Sequence, residues 1–245
     1  MLVLLPPSET KARGGDGPPL DVAALSFPAL NPVRDKLIDV VIGLAADPQA
    51  SMVALGLGPK QVHEVAANAV VRESATSSAL DRYTGVLYDA LGVSAYTRAQ
   101  RARACARLAM GSALFGAVRA GDCIPRYRLS AGSALPGLPT LRALWRPELP
   151  SALSDVDGLV VDLRSGSYAA LGPVPGAVTA TVLTEKADGT RAVVSHFNKA
   201  HKGLLARALA LTRAEPSDAR GVARVARKAG LRVELYRQSE LTVLT

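Results

Sequence analysis

The chain has 245 residues, 49% of them hydrophobic, enough to bury a sizeable core. Its 29 Lys and Arg against 21 Asp and Glu give a formal net charge of +8, which favours anionic partners: nucleic acid, nucleotides or acidic lipid. Two cysteines without a CxxC spacing and three scattered histidines argue against a structural zinc site, and no cofactor is expected.

In chain order, "LVLL" reads as a short apolar strand running into a Pro-rich turn. The opening "MLVLL" lacks a cationic lead and is too short for a signal or membrane helix, so a cytoplasmic protein is expected, with no membrane contact. "ARGGDGPPLDVAAL" is a loop. "NPVRDKLIDVVIGLAAD" carries Val33, Leu37, Val40, Val41 and Leu44 at helical spacing. Asp47 and Pro48 then look like an N-cap followed by proline at the first helical position, opening a short helix to about Leu55. Gly56-Leu57-Gly58 breaks it, and Pro59 restarts a helix that continues to about Glu73.

Further on, Tyr83 to Tyr88 looks strand-like. "SAYTRAQRARACARLAMGSALFGAVRAGD" reads as a basic helix or helix pair that breaks, or turns into a strand, near Gly111-Ser112. "LRALWRPELPSAL" is helical, and "GLVVDLRSG" is the clearest buried strand. "GAVTATVLTEK", "DGTRAVVSHFNK" and "VELYRQSELTVLT" are further strands, the first two joined by an "ADG" turn. Two amphipathic helices lie in "AHKGLLARALALTRA" and "SDARGVARVARKAG". The mixture lacks strict βαβ alternation, so the expected fold is α+β, an irregular mixed α/β arrangement in a single domain spanning 1–245.

Several polar constellations carry candidate chemistry. Residues 48–73 read as a helix-hairpin-helix, in which the backbone amides around Gly56 and Gly58 would hold a phosphate and Lys60 would add charge. The same glycines also suit an ordinary corner between two helices. In "LPPSETK", the hydroxyls of Ser8 and Thr10 with Lys11 could hold an oxyanion, and Glu9 could serve as acid or base. A solvated turn is the plainer reading. In "SHFNKAHKG", His196 and Asn198 would alternate along a strand, with Lys199 and Lys202 at the start of the next helix. Cations there oppose the helix dipole and are better tolerated with an anion between them. "PRYR" puts Arg126 and Arg128 on one face if extended, with Tyr127 opposite. Arg164, Ser165 and Tyr168 either line a cleft or form a tight turn. Cys123, near Arg119 and Arg126, has an environment that would lower a thiol pKa but no evident resolving partner. No Ser-His-Asp order, HExxH, Walker A or GxGxxG spacing is present.

The blocks "LPPSETK", "RYTGVLYDAL", "GSALFGAVRAGDCIPRYRLSAG", "VVDLRSGSY" and "SHFNKAHKG" together resemble the YaaA peroxide stress family, in its actinobacterial branch, almost end to end. The resemblance implies resistance to hydrogen peroxide by limiting damage from free iron. It also implies DNA binding and a single-domain fold with a helix-hairpin-helix and a positively charged cleft. The cleft would draw on Lys11, Arg126, Arg128, Lys199 and Lys202. The family's first block often reads Ser-Pro-Ala-Lys-Thr, whereas this chain has Pro-Ser-Glu-Thr-Lys.

Two functions follow from these residues. One is a DNA-binding protein of the peroxide stress response, a monomer gripping backbone phosphates without sequence choice. The other is an enzyme acting on a nucleotide or other phosphate-bearing small molecule. A closed pocket, away from the hairpin, that gathers Ser8, Lys11, Arg126, His196, Asn198 and Lys199 would favour the second.

Overall fold

A computed structural model describes every residue except Ala187 and Val194; at Ser195, His196 and Phe197 it describes the backbone alone. β1 (Leu2–Leu5) has all four side chains buried, as a strand covered on both faces must. After a long loop, α1 (Asn31–Ala45) and α2 (Pro48–Leu55) follow. Asp47 caps α2 as expected, its Oδ1 accepting from the amides of Gln49 and Ala50 at 3.0 Å each. The helix ends in a Schellman turn. Gly56, at φ 63°, donates to the carbonyl of Val53, and Leu57 donates to that of Met52.

The expected second helix of the hairpin forms differently. Pro59–Glu64 is a 3-10 segment, and only Val65–Ala69 (α3) is α-helical before the β-branched Val70 and Val71. β2 (Ser77–Ser78) and α4 (Ala79–Arg82) lead to α5 (Val86–Leu91). The strand expected around Tyr83 to Tyr88 is therefore a helix start. Leu87, Tyr88 and Leu91 are buried at helical spacing, which overrides the β propensity of the tyrosines.

α6 (Arg98–Arg107) opens on a capping box between Thr97 and Gln100. It stops at Arg107, before Gly111, and the apolar residues that follow form β3 (Leu108–Ser112) and β4 (Gly116–Arg119), an antiparallel hairpin. β5 (Cys123–Ile124), α7 (Leu141–Trp145) and α8 (Leu149–Ser154) precede β6 (Val160–Asp162). α9 (Gly166–Ala169) is a single turn before β7 (Val178–Glu185) and β8 (Arg191–Ala192). α10 (Ser195–Leu211) already includes Asn198, so the expected strand through that residue is corrected: β8 has ended. α11 (Ala219–Lys228) is capped by Asp218. β9 (Arg232–Arg237) and β10 (Glu240–Leu244) split the expected last strand into a hairpin.

Eight of the described strands form one mixed sheet in the order β4-β3-β1-β6-β7-β10-β9, with β8 paired to β7, and β2 and β5 pair separately as a two-stranded antiparallel sheet. β1 is parallel to both β3 and β6, and β7 is parallel to β6 and β10. From β1 the chain builds outward through β3 and β4, then returns to β1's other edge as β6. β1 and β6 are parallel, but the chain leaves β1 toward β3 and β6 toward β7, so a topological switch point lies between them where the loops diverge and leave a crevice. The α+β expectation thus holds, with one contiguous apolar core around the sheet.

Arginine does much of the internal tying. Arg34, fully buried, donates to the carbonyls of Ser26, Phe115 and Ala117 and to Asn31. Arg82, also fully buried, donates to the carbonyls of Ala12, Ala75 and Ile124. Arg107 clamps the end of α10 through Leu209 and Thr212.

Candidate functional site

The crevice at the switch point opens into a cleft of about 850 Å³. Its floor and walls come from five stretches of chain: the loop after β1, the start of α5, the loop after β6, the middle of β7 and the first turns of α10.

The loop after β1 contributes Pro6 to Thr10. The Ser8 and Thr10 hydroxyls hydrogen-bond each other at 3.1 Å, and Thr10 Oγ1 donates onward to the Thr84 carbonyl. The Tyr88 hydroxyl donates to the Pro6 carbonyl at 2.8 Å, fixing this loop to α5. Glu9 reaches the cleft half-exposed and is paired with Arg128 at 3.0 Å.

The loop after β6 is held by a buried pair. Arg164 grips both oxygens of Asp162, Nε to Oδ1 at 3.0 Å and Nη2 to Oδ2 at 2.8 Å, and also donates to the Gly172 carbonyl. All its partners lie within residues 162–172, so it shapes the loop and orients Ser165 and Ser167 on the cleft wall. Asp162 lines the cleft but is buried in this pair, whereas Glu9, paired with Arg128, is half-exposed.

α10 supplies Asn198, Lys199 and Lys202. Lys202 Nζ donates to the carbonyls of Leu163 (3.0 Å) and Arg164 (3.3 Å), stitching the helix to the loop after β6. An ammonium has three donors, so one stays available to the cleft. Burial pushes the Lys202 pKa down, against the pull of Asp162. Lys199 is exposed at the rim. α10 is set in place by Gly203: a Cβ there would collide with the Leu87 carbonyl and lie 2.8 Å from Ala90 Cβ. The absence of a side chain lets α10 press against α5, the opposite wall.

Ser8, Glu9, Asn198, Lys199 and Lys202 therefore meet in one cleft, with Arg164, Ser165 and Tyr168 beside them. The expected basic set divides in two. Lys11, Arg126 and Arg128 do not line the cleft; they form a second cluster adjoining it, with Glu9 shared between the two. Arg126 pairs with Glu64 at 2.8 Å. Lys11 Nζ donates to the Ser8 carbonyl at 3.0 Å and rests over the Tyr127 ring, 4.3 Å from its centroid. Behind it the Tyr83, Tyr127 and Ser112 hydroxyls form a buried chain with links of 2.8 and 2.7 Å. Burial pushes the Tyr83 pKa up to about 12. The side chain of His196 lies outside the described residues.

Gly56, Gly58 and Lys60 take no part in the cleft lining. The turn's amides are already used: Gly56 and Leu57 bond the end of α2, and the Gly58 amide donates to Gln61 Oε1 at 3.1 Å. A phosphate at Gly58 would have to displace Gln61. Among the described residues no group of three or more His, Cys, Asp or Glu could hold a metal ion, and no helix is long and apolar enough to cross a membrane.

Sequence reasoning missed Gly85, Val86 and Thr179 to Thr181 as cleft residues. Gly85 stands inside the "RYTGVLYDAL" block, a signal that was legible; the β7 residues have no local signal, since only sheet register brings them there.

Comparison with known proteins gives a consistent result. A family model described as peroxide stress protein YaaA matches residues 1–234. A UPF0246 protein of Corynebacterium efficiens is 51% identical over the whole of both chains. One from Corynebacterium glutamicum is 47% identical, covering 96% of this chain and 95% of its own. One from Streptomyces coelicolor is 42% identical, covering 96% and 92%.

Proposed function

The chain belongs to the family of the peroxide stress protein YaaA, and from that premise we propose that it binds a small phosphate-bearing molecule in the cleft between β1 and β6 and acts on it there. The observation that carries this reading is convergence. Ser8, Glu9 and Thr10 meet Asn198, Lys199 and Lys202 from nearly the other end of the chain, around one cavity of about 850 Å³. That volume suits a nucleotide-sized ligand.

The roles follow from the partners. Lys199, Lys202 and Asn198 take the phosphate near the amino end of α10, where the helix dipole also favours an anion. Two lysines at that end repel it when the cleft is empty, and a phosphate between them relieves the conflict. Glu9 is the group for proton transfer, because its pair with Arg128 is half-exposed to the cleft while Asp162 is buried under Arg164. Ser8 and Thr10 orient the ligand through their hydroxyls. In this reading the protein works in the cytoplasm as a monomer. Calorimetric titration with small phosphate monoesters tests it. Saturable one-to-one binding is expected, and no heat with any ester up to millimolar concentration would reject it.

A second reading, DNA binding at the hairpin, draws on a shallow groove of about 370 Å³ lined by Arg13, His63 and Arg126. It predicts duplex binding without sequence choice that weakens steeply between 50 and 200 mM salt, in the range typical of phosphate-backbone contacts. In gel shifts Gly58→Glu should lose that binding. Equal binding by wild type and variant would remove the hairpin as the contact.

A further inference from the structure

β7 runs inside the sheet, between β6 and β10 and parallel to both, where a strand is ordinarily covered on its two faces. One face is covered: Val178, Ala180 and Val182 are buried. The other carries Thr179 and Thr181, both exposed and both lining the cleft. Register places Thr179 beside Asp162, and Thr181 follows on the same face beyond the end of β6. Neither threonine hydroxyl has a hydrogen-bond partner among the described residues. The loop after β6 adds Ser165 and Ser167, also exposed, whose hydroxyls lie 3.3 Å apart.

We infer that the ligand of the cleft is a phosphorylated sugar whose ring hydroxyls are read by Thr179 and Thr181, with Ser165 and Ser167 beside them. The inference rests on the phosphate reading and names the rest of the molecule. A hydroxyl both donates and accepts, so a cluster of hydroxyls is best matched by other hydroxyls. A second anionic group would call for a free arginine. Arg164, the one arginine among the described lining residues, spends its guanidinium on Asp162 and on the carbonyls of Tyr168 and Gly172. Recognition through an aromatic group would call for an open ring face, and the two tyrosines that line the cleft, Tyr88 and Tyr168, are only 6% and 8% exposed.

The strand also holds these hydroxyls ready. Threonine is β-branched and stiff at χ1, and residues i and i+2 of a strand stand about 6.6 Å apart, a span that one sugar ring bridges. Pro7, Val86 and Ala169 supply carbon surface for the C–H face of such a ring. Asp162 joins the two ends of the site: it stands beside Thr179 in the sheet and is near enough to Lys202 to act on its charge. A sugar seated on β7 can therefore carry its phosphate to the lysines of α10. That chemistry is shared by a free sugar phosphate and by a nucleotide, and the cleft has room for either.

Calorimetric titration of the intact protein with two matched esters tests the assignment. Ribose 5-phosphate and tetrahydrofurfuryl phosphate share a five-membered ring and a phosphate arm and differ in the ring hydroxyls. Ribose 5-phosphate should bind at least about tenfold more tightly. Thr179→Val and Thr181→Val keep the branched shape and remove one hydroxyl each. Water replaces a lost partner at an exposed hydroxyl, so each change should weaken ribose 5-phosphate by about three- to tenfold and leave tetrahydrofurfuryl phosphate unaffected. Equal affinity of the wild type for the two esters overturns the sugar assignment and leaves the phosphate reading standing. So does an equal loss of both esters in the valine variants. Binding of neither ester overturns the phosphate reading and this one with it. Adenosine 5′-phosphate separates the two sources: tighter binding than ribose 5-phosphate assigns the sugar to a nucleotide, and equal or weaker binding assigns it to a free sugar phosphate.

Discussion

Arg34, Arg82, Arg107 and Arg164 change what a net charge of +8 means. These side chains are buried and spend their donors on backbone carbonyls and internal carboxylates, so a share of the basic composition is architecture and not a field for partners. Lys11 shows the opposite use of a buried cation. Its pKa lies near 8 when folded and at the ordinary value of 10.5 when unfolded. Between those values the unfolded chain binds more protons, so stability should rise from pH 8 to pH 10.5. Below pH 8 the folded protein carries the full cost of the buried charge. Lys11→Met should flatten this rise. Denaturant midpoints at pH 7.5 and 9.5 check it, and an equal change in wild type and variant would show that Lys11 is not the group responsible.

The cleft depends on how α5 and α10 meet. Gly203 is the contact point, and Gly203→Ala drives a methyl into the Leu87 carbonyl. Overpacking of this kind costs about 1–3 kcal/mol, or about 2–4 °C in melting temperature per kcal/mol for a chain of this size. The variant should melt lower and also bind the cleft ligand more weakly, because Lys199 and Lys202 ride on the displaced helix. An unchanged melting temperature would show that the helices can part freely.

Legibility in the sequence followed locality. β1, β6 and the Asp47–Pro48 helix start were readable, since an apolar run and a cap are local features. Ser8, Glu9, Asn198, Lys199 and Lys202 were readable as chemistry-bearing types. Their meeting in one cleft was not, because sheet order decides it. Tyr83 to Tyr88 misled because burial of one helix face outweighed aromatic strand preference. Residues 59–73 misled because the β-branched Val62, Val65, Val70 and Val71 stand in or beside a stretch with only five α-helical residues.

At the scale of the whole molecule, the glycine turn at Gly56–Gly58 and the cleft are separate features. The hairpin turn satisfies its own amides, through the Schellman turn at Gly56 and through Gln61 at Gly58. The cleft gathers loops from both halves of the chain at the switch point between the parallel strands β1 and β6, and its lysines and Glu9 line a shared space. On the proposed reading, a cleft of about 850 Å³ at that place suits a small ligand better than a long duplex. The most direct test of that claim is the phosphate-ester titration repeated on Lys199→Gln/Lys202→Gln. Removing both charge-assisted contacts should weaken binding by at least about a hundredfold, at about 1.5–3 kcal/mol each, and Lys199→Gln alone, at an exposed position, should weaken it with the melting temperature of the empty protein little changed. Binding of the same ester with unaltered affinity would contradict the account.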